Sequence, residues 1–199
     1  MRETSGKKRT FRIKNISLAI TTVLFLVLFG AGSVAYDNFF SFSTFFNLFN
    51  DNAYLMIASI GVTFVLLTGG IDISIASTIA FTCVFSAFLL RLGWTPLIVI
   101  PLVLLIGLAF GALMGYMIHY FKLQPFIVTL AGQFFMRGMC AVISTESIPI
   151  SDEFYKTMAL TKVTLLGGRI YFYVFIAIVV LLVSLFVLKF TRFGRTVYE

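Results

Sequence analysis

Long apolar runs separated by short polar breaks organise this chain. Six runs stand out, at about 16–36, 52–68, 73–92, 97–120, 125–145 and 171–190. A membrane-crossing helix needs about 20 mostly apolar residues at a rise of 1.5 Å each, and all six are of that order. The pattern predicts an all-α, polytopic transmembrane bundle of about six membrane-spanning helices. The second and third runs are parted by little more than Thr68-Gly69-Gly70-Ile71-Asp72, the fourth and fifth by Phe121-Lys122-Leu123-Gln124. A cleavable signal peptide is rejected for the first run, because it extends to Tyr36 and further spans follow.

Composition sharpens this reading. Of 199 residues, 60% are hydrophobic and 12% charged, with mean hydropathy +1.03, against about 25% charged in a soluble domain. A soluble enzyme and a disordered segment are both excluded. The net charge of +7 does not indicate nucleic acid, because Arg2, Lys7, Lys8, Arg9, Arg12 and Lys14 all precede the first run. Such clustering marks a cytoplasmic membrane flank. With the N-terminus inside, ten basic residues fall on inner segments (those six, Lys122, Lys189, Arg192 and Arg195) and four on outer ones (Arg91, Lys156, Lys162 and Arg169). The expected topology is N-in and, after six spans, C-in. Residues 1–15 form a basic cytoplasmic N-terminus, 16–190 the transmembrane domain and 191–199 the beginning of a cytoplasmic segment.

Two outer segments have their own character. Residues 37–51 carry seven Phe or Leu residues, two Asp and no basic residue. They read either as an interfacial helix or as the lead-in to the second span. Within 146–170, Ser151-Asp152-Glu153 is placed to cap and start a short helix, because acids suit the positive N-terminal end. Gly167-Gly168 closes that segment.

Side chains able to do covalent chemistry are scarce. Cys83 and Cys140 lie in apolar runs and read as small buried hydrophobes. There is no G-x-x-x-x-G-K-[ST] phosphate loop, GxSxG, HExxH or Cys/His cluster, so no catalytic residue, metal or cofactor is expected. His119, at the inner end of the fourth span, reads as a snorkelling interface residue. The remaining possibilities are transport and sensing.

Three features bear on that choice. Gly107, Gly111 and Gly115 fall on one stripe of a helix and predict close packing of a neighbouring backbone. The segment 67–77 interrupts an apolar stretch with Gly69 and Gly70 and then supplies Asp72, Ser74 and Ser77. Such interruptions often mark substrate routes in transporters, whereas the plainer alternative is that Asp72 or Ser74 caps the third span. Arg137 lies 12 residues after Pro125, about 18 Å along a helix. A charge facing lipid there costs about 3 kcal/mol, so it is expected to face the bundle interior. With Gln133 and Thr129 on the same stripe, it reads as part of a hydrophilic path or as half of a buried ion pair.

LLTGGIDISIAS (66–77), PFIVTLAG (125–132), Arg137-Gly138 and TRFGRTVY (191–198) together resemble the permease family of bacterial ATP-binding-cassette sugar importers of the ribose, xylose and galactofuranose type. STESIPI (144–150) is similar to the galactofuranose branch. Ile73, Ile75 and Ala76 depart from the family's Leu, Val and Gly. The chain stops at Glu199, so the resemblance implies the N-terminal half of such a permease.

The implied mechanism is alternating access in a bacterial inner membrane, without enzymatic activity in this chain. A periplasmic sugar-binding protein delivers a monosaccharide, a second permease subunit completes the pathway, and separate ATP-binding subunits supply energy. Arg192, Phe193, Gly194 and Arg195 then form the edge that couples to the ATPase. Asp72, Ser74, Thr129, Gln133 and Arg137 are pathway candidates from their own physics. Two other readings are an ion-gradient-driven carrier and a membrane scaffold that transports nothing.

Overall fold

The structure, a computed structural model, describes residues 5–37, 39, 41–165 and 168–198, with side chains from residue 16 onward except at 17, 165 and 198. In chain order the elements are α1 (Ser5–Ala35), α2 (Phe42–Leu67), α3 (Ile75–Arg91), α4 (Pro96–Phe121), α5 (Pro125–Ile143) and α6 (Glu153–Leu160). They continue with β1 (Lys162–Leu165), β2 (Gly168–Tyr171), α7 (Phe172–Phe190) and α8 (Arg192–Tyr198).

Local chemistry accounts for most boundaries. Pro96 and Pro125 open α4 and α5, each after an extended residue, Thr95 and Gln124. Proline suits that position because its missing N–H would have no helical partner. Asp152 caps α6 as the sequence predicts, accepting from Phe154 N at 2.9 Å and Tyr155 N at 3.3 Å. Burial, with the Asp152 carboxylate second, pushes the Tyr155 phenol above its ordinary range. At the far end of α3, Gly93 adopts φ +87°. There Trp94 N donates to Leu89 O at 3.1 Å and Gly93 N to Leu90 O at 3.0 Å, the paired bonds of a Schellman turn.

Among the described residues, five helices are long and apolar enough to cross a membrane: Leu18–Ala35, Phe42–Leu67, Pro96–Phe121, Pro125–Ile143 and Phe172–Phe190. The molecule is a helical transmembrane bundle. The third expected run, 73–92, is the 17-residue α3, about 26 Å long at 1.5 Å per residue. It is shorter because residues 68–74 form a turn and Gly93 ends the helix.

Three readings of the sequence need correction. The helical part of 37–51 is no separate interfacial helix, since Phe42 onward runs unbroken into α2. The outer segment holds a two-stranded sheet of β1 and β2 that no pattern in the sequence announced. Cys83 is exposed and Cys140 half-buried, rather than both buried. Gly167 lies outside the described residues.

Two compact units divide the chain, Met1–Leu48 with Thr164–Arg169 and Phe49–Val163 with Ile170–Glu199. In the first, Phe39 packs edge-on against Phe29 with ring centroids 5.3 Å apart. It also lies 3.3 Å from where a Cβ on Gly32 would stand. In the second, α3, α4 and α5 pack pairwise, and α7 packs with α6 and α8. A small core of Ala53, Val174 and Ala177 joins α2 to α7. Beside it, buried Asn50 accepts from Tyr171 N at 3.1 Å. Burying an unpaired backbone N–H would cost about 1–3 kcal/mol, so this bond fixes where α7 starts against α2.

Candidate functional site

The segment 68–74 departs from helix at one end of the spans, and a series of hydrogen bonds holds it. Gly69, at φ +76°, donates to Leu66 O at 3.0 Å, and Gly70 donates to Val65 O at 3.0 Å. This is a Schellman turn, with Gly70 seated so that a Cβ would lie 3.2 Å from Val65 Cγ1. Asp72 Oδ1 then accepts from Ser74 N at 2.8 Å and Ser74 Oγ at 2.7 Å. Ser74, 1% exposed, itself occupies the residue before α3 without capping it by side chain. Its carbonyl accepts from Ser77 Oγ at 2.6 Å and Thr78 Oγ1 at 3.0 Å. Asp72 thus ties down the residue that precedes α3, without bonding the helix itself.

That same carboxylate also borders a cavity. A space of about 410 Å³ lies between α2, the start of α3 and α4. Tyr54, Ile57 and Gly61 line one side, Asp72, Ser74 and Thr78 the floor, and Gly107, Phe110 and Gly111 the other side. The Ser74 and Thr78 hydroxyls are already spent on Asp72 and on the Ser74 carbonyl. The walls are therefore chiefly apolar and aromatic around one carboxylate. Such a half-open lining has few groups with which to hold a polyhydroxyl compound tightly.

The other expected residues fall elsewhere. Thr129, 3% exposed, donates its hydroxyl among Ile71 O (3.2 Å), Pro125 O (3.0 Å) and Phe126 O (3.3 Å), and so braces α5 against the turn. Gln133, one turn on, is half-buried. Arg137 is exposed within this chain. Val128, Thr129, Gly132 and Met136 use up the inward face of α5, leaving the next residue pointing away. Among the described residues Arg137 has no ion pair; Lys156 and Glu153, 3.4 Å apart, make one.

The glycine stripe of α4 is open in the same way. A Cβ at Gly107, Gly111 or Gly115 would meet nothing within 4 Å among the described residues. The close approach is made instead by Gly132 of α5. There a Cβ would lie 2.7 Å from Met114 Sδ and 3.1 Å from Phe110 Cζ.

At the other expected site, TRFGRTVY folds as α8 directly after α7. Gly194 and Val197 are buried beneath it, while Arg192 and Arg195 are exposed. Thr191 Oγ1 donates to Val187 O at 2.6 Å and accepts from Gly194 N at 3.3 Å, tying the corner.

Comparison with known proteins places this arrangement. Residues 44–198 match the family model described as branched-chain amino acid transport system / permease component. The chain belongs to that permease family. The match takes in the cavity, the turn at 68–74 and α8. This family member is 41% identical over 187 residues to the inner membrane ABC transporter permease protein YjfF of Escherichia coli, covering 93% of this chain and 56% of that protein. It is 33% identical to the fructose import permease protein FruG of Bifidobacterium longum, covering 96% and 59%. It is 31% identical to the ribose import permease protein RbsC of Haemophilus influenzae, covering 88% and 55%. The chain therefore spans little more than half the length of these relatives. No solved structure matches it.

Two residues of this permease-family chain that shape the site went unmarked in the sequence reading. Gly132 stood inside PFIVTLAG and was read only as part of a motif. Phe110, which both lines the cavity and meets Gly132, was one apolar residue among many in α4. A signal for Gly132 did exist, since it falls one helical turn after Thr129 on the face that packs.

Proposed function

We propose that this chain is a membrane-crossing part of the permease in an ATP-binding-cassette importer, and that it passes a monosaccharide of the galactofuranose type across a bacterial inner membrane. The cavity carries the reading: a space of about 410 Å³ with one carboxylate on its floor suits transient passage better than tight capture. Asp72 and Ser74 border the route, and Thr129 holds its floor in place. Gln133 and Arg137 serve the same passage from the outward half of α5. The N-terminus and α8 face the cytoplasm, where Arg192, Phe193, Gly194 and Arg195 meet separate ATP-binding subunits. A periplasmic binding protein delivers the sugar to the outer side, and a second permease subunit completes the pore. The glycines of α4 leave room along its wall for either the sugar or the neighbouring subunit.

Vesicles containing the complete permease with its binding protein and ATP-binding subunits test this reading. Radiolabelled galactose, whose solutions contain the furanose form, should accumulate only with ATP, and Asp72→Asn should lower the rate. Uptake by this chain alone on an ion gradient, or nucleotide hydrolysis by the isolated chain, overturns it.

A further inference from the structure

The turn at 68–74 and the edge at 192–195 are joined by a contact that neither motif suggests. Phe193 of α8 and Phe64 of α2 have ring centroids 6.1 Å apart with planes tilted by 39°. Each ring belongs to a rigid piece. On one side, Gly194 presses so closely on the Leu188 carbonyl that a Cβ there would overlap the backbone of α7. Together with the two bonds of the Thr191 hydroxyl, this makes α8 move with the end of α7. On the other side, Phe64 lies in the last turn of α2, where its carbonyl accepts from Thr68 N at 3.3 Å. The next two carbonyls, of Val65 and Leu66, hold Gly70 and Gly69. Past the glycines, Ile71 O accepts from Thr129 of α5.

A displacement of α8 therefore reaches the residue that carries the first bond of the turn before it reaches any other part of the cavity floor. Arg192 and Arg195 are exposed and open to a partner, and Phe193, itself 57% exposed, still meets Phe64 of α2. We propose that the Phe64–Phe193 pair is the positioning contact through which movement of the α8 edge is passed to the Gly69–Gly70 turn and so to Asp72. The proposal rests on the reading of α8 as the edge that meets the ATP-binding subunits.

The test uses the complete permease, reconstituted in vesicles with its ATP-binding subunits and binding protein, and reads galactose taken up per ATP hydrolysed. This ratio does not depend on how much protein folds. Phe193→Ala and Phe64→Ala should each lower it about three- to tenfold, the size expected for loss of one aromatic pair. ATP hydrolysis itself should continue. The double variant should do no worse than either single one, and Phe193→Leu, which keeps a bulky apolar contact, should recover most of the ratio. An unchanged ratio in Phe193→Ala, or losses that add in the double variant, overturns the relay alone. Wild-type vesicles that hydrolyse ATP without taking up sugar remove the reading beneath it, and the relay with it.

Discussion

The Thr129 hydroxyl reaches the Ile71 carbonyl at 3.2 Å, across 58 residues of sequence, and joins α5 to the one irregular stretch between α2 and α3. Two carbonyls of its own helix, Pro125 and Phe126, compete for the same proton. The bond to Ile71 is therefore shared rather than exclusive. Thr129→Val keeps the shape and removes the donor. The expected outcome is a loss of about 1 kcal/mol, seen as faster amide exchange over residues 69–75, while Thr129→Ser stays close to wild type.

Asp72 combines two tasks that substitution separates. Asparagine still offers an oxygen to Ser74 N, whereas alanine does not. Asp72→Asn is expected to leave thermal stability nearly unchanged and to lower uptake, because the cavity loses its charge. Asp72→Ala should lower both, with about 1 kcal/mol lost with the bonds to Ser74. Paired melting and uptake measurements check this.

The glycines of α4 and α5 should behave in opposite ways. A methyl group at Gly111 meets open space, so Gly111→Ala is expected to leave the melting temperature unchanged. At Gly132 the same methyl collides with Met114 and Phe110. Gly132→Ala should therefore destabilise by about 1–3 kcal/mol, measured as an earlier loss of folded protein in detergent. Gly111→Leu fills the cavity and should block uptake with the protein still present in the membrane.

Arg137 stands on a face with the exposed Phe134. Arg137→Leu removes a charge that is costly to hold inside the bilayer, by about 3 kcal/mol where it meets lipid. It is expected to insert at least as well as wild type and to transport less. Full uptake by this variant would remove Arg137 from the pathway.

The helices were legible because an apolar run of fixed length has few other ways to satisfy its backbone in lipid. The glycines at 69 and 70 and the Asp152 cap were legible for a related reason, each being a residue type whose local chemistry dictates its place. The surroundings of Arg137 were not. Charge alone argued that it should turn inward, and within this chain the packing face of α5 is filled by Val128, Thr129, Gly132 and Met136. Nor was the short sheet of β1 and β2 readable, since four-residue strands have too few positions to show a period. The cavity depends on residues from three helices, and no spacing along one helix reveals which glycine meets a neighbour and which meets a void.

Left-handed backbone at Gly69 and again at Gly93 bookends α3. Any other L-residue at either point is strained by about 1–2 kcal/mol, so a pair of such replacements would consume a sizeable share of the 5–15 kcal/mol that holds a typical fold together. The shortest apolar rod of the bundle is thus held at both punctuation marks by backbone geometry, and along its length by the burial of Ser77, Phe81, Ala87 and Leu89. A library of substitutions scored for surviving protein would show a sharp minimum at each glycine, 24 residues apart, with further minima between them at the buried positions.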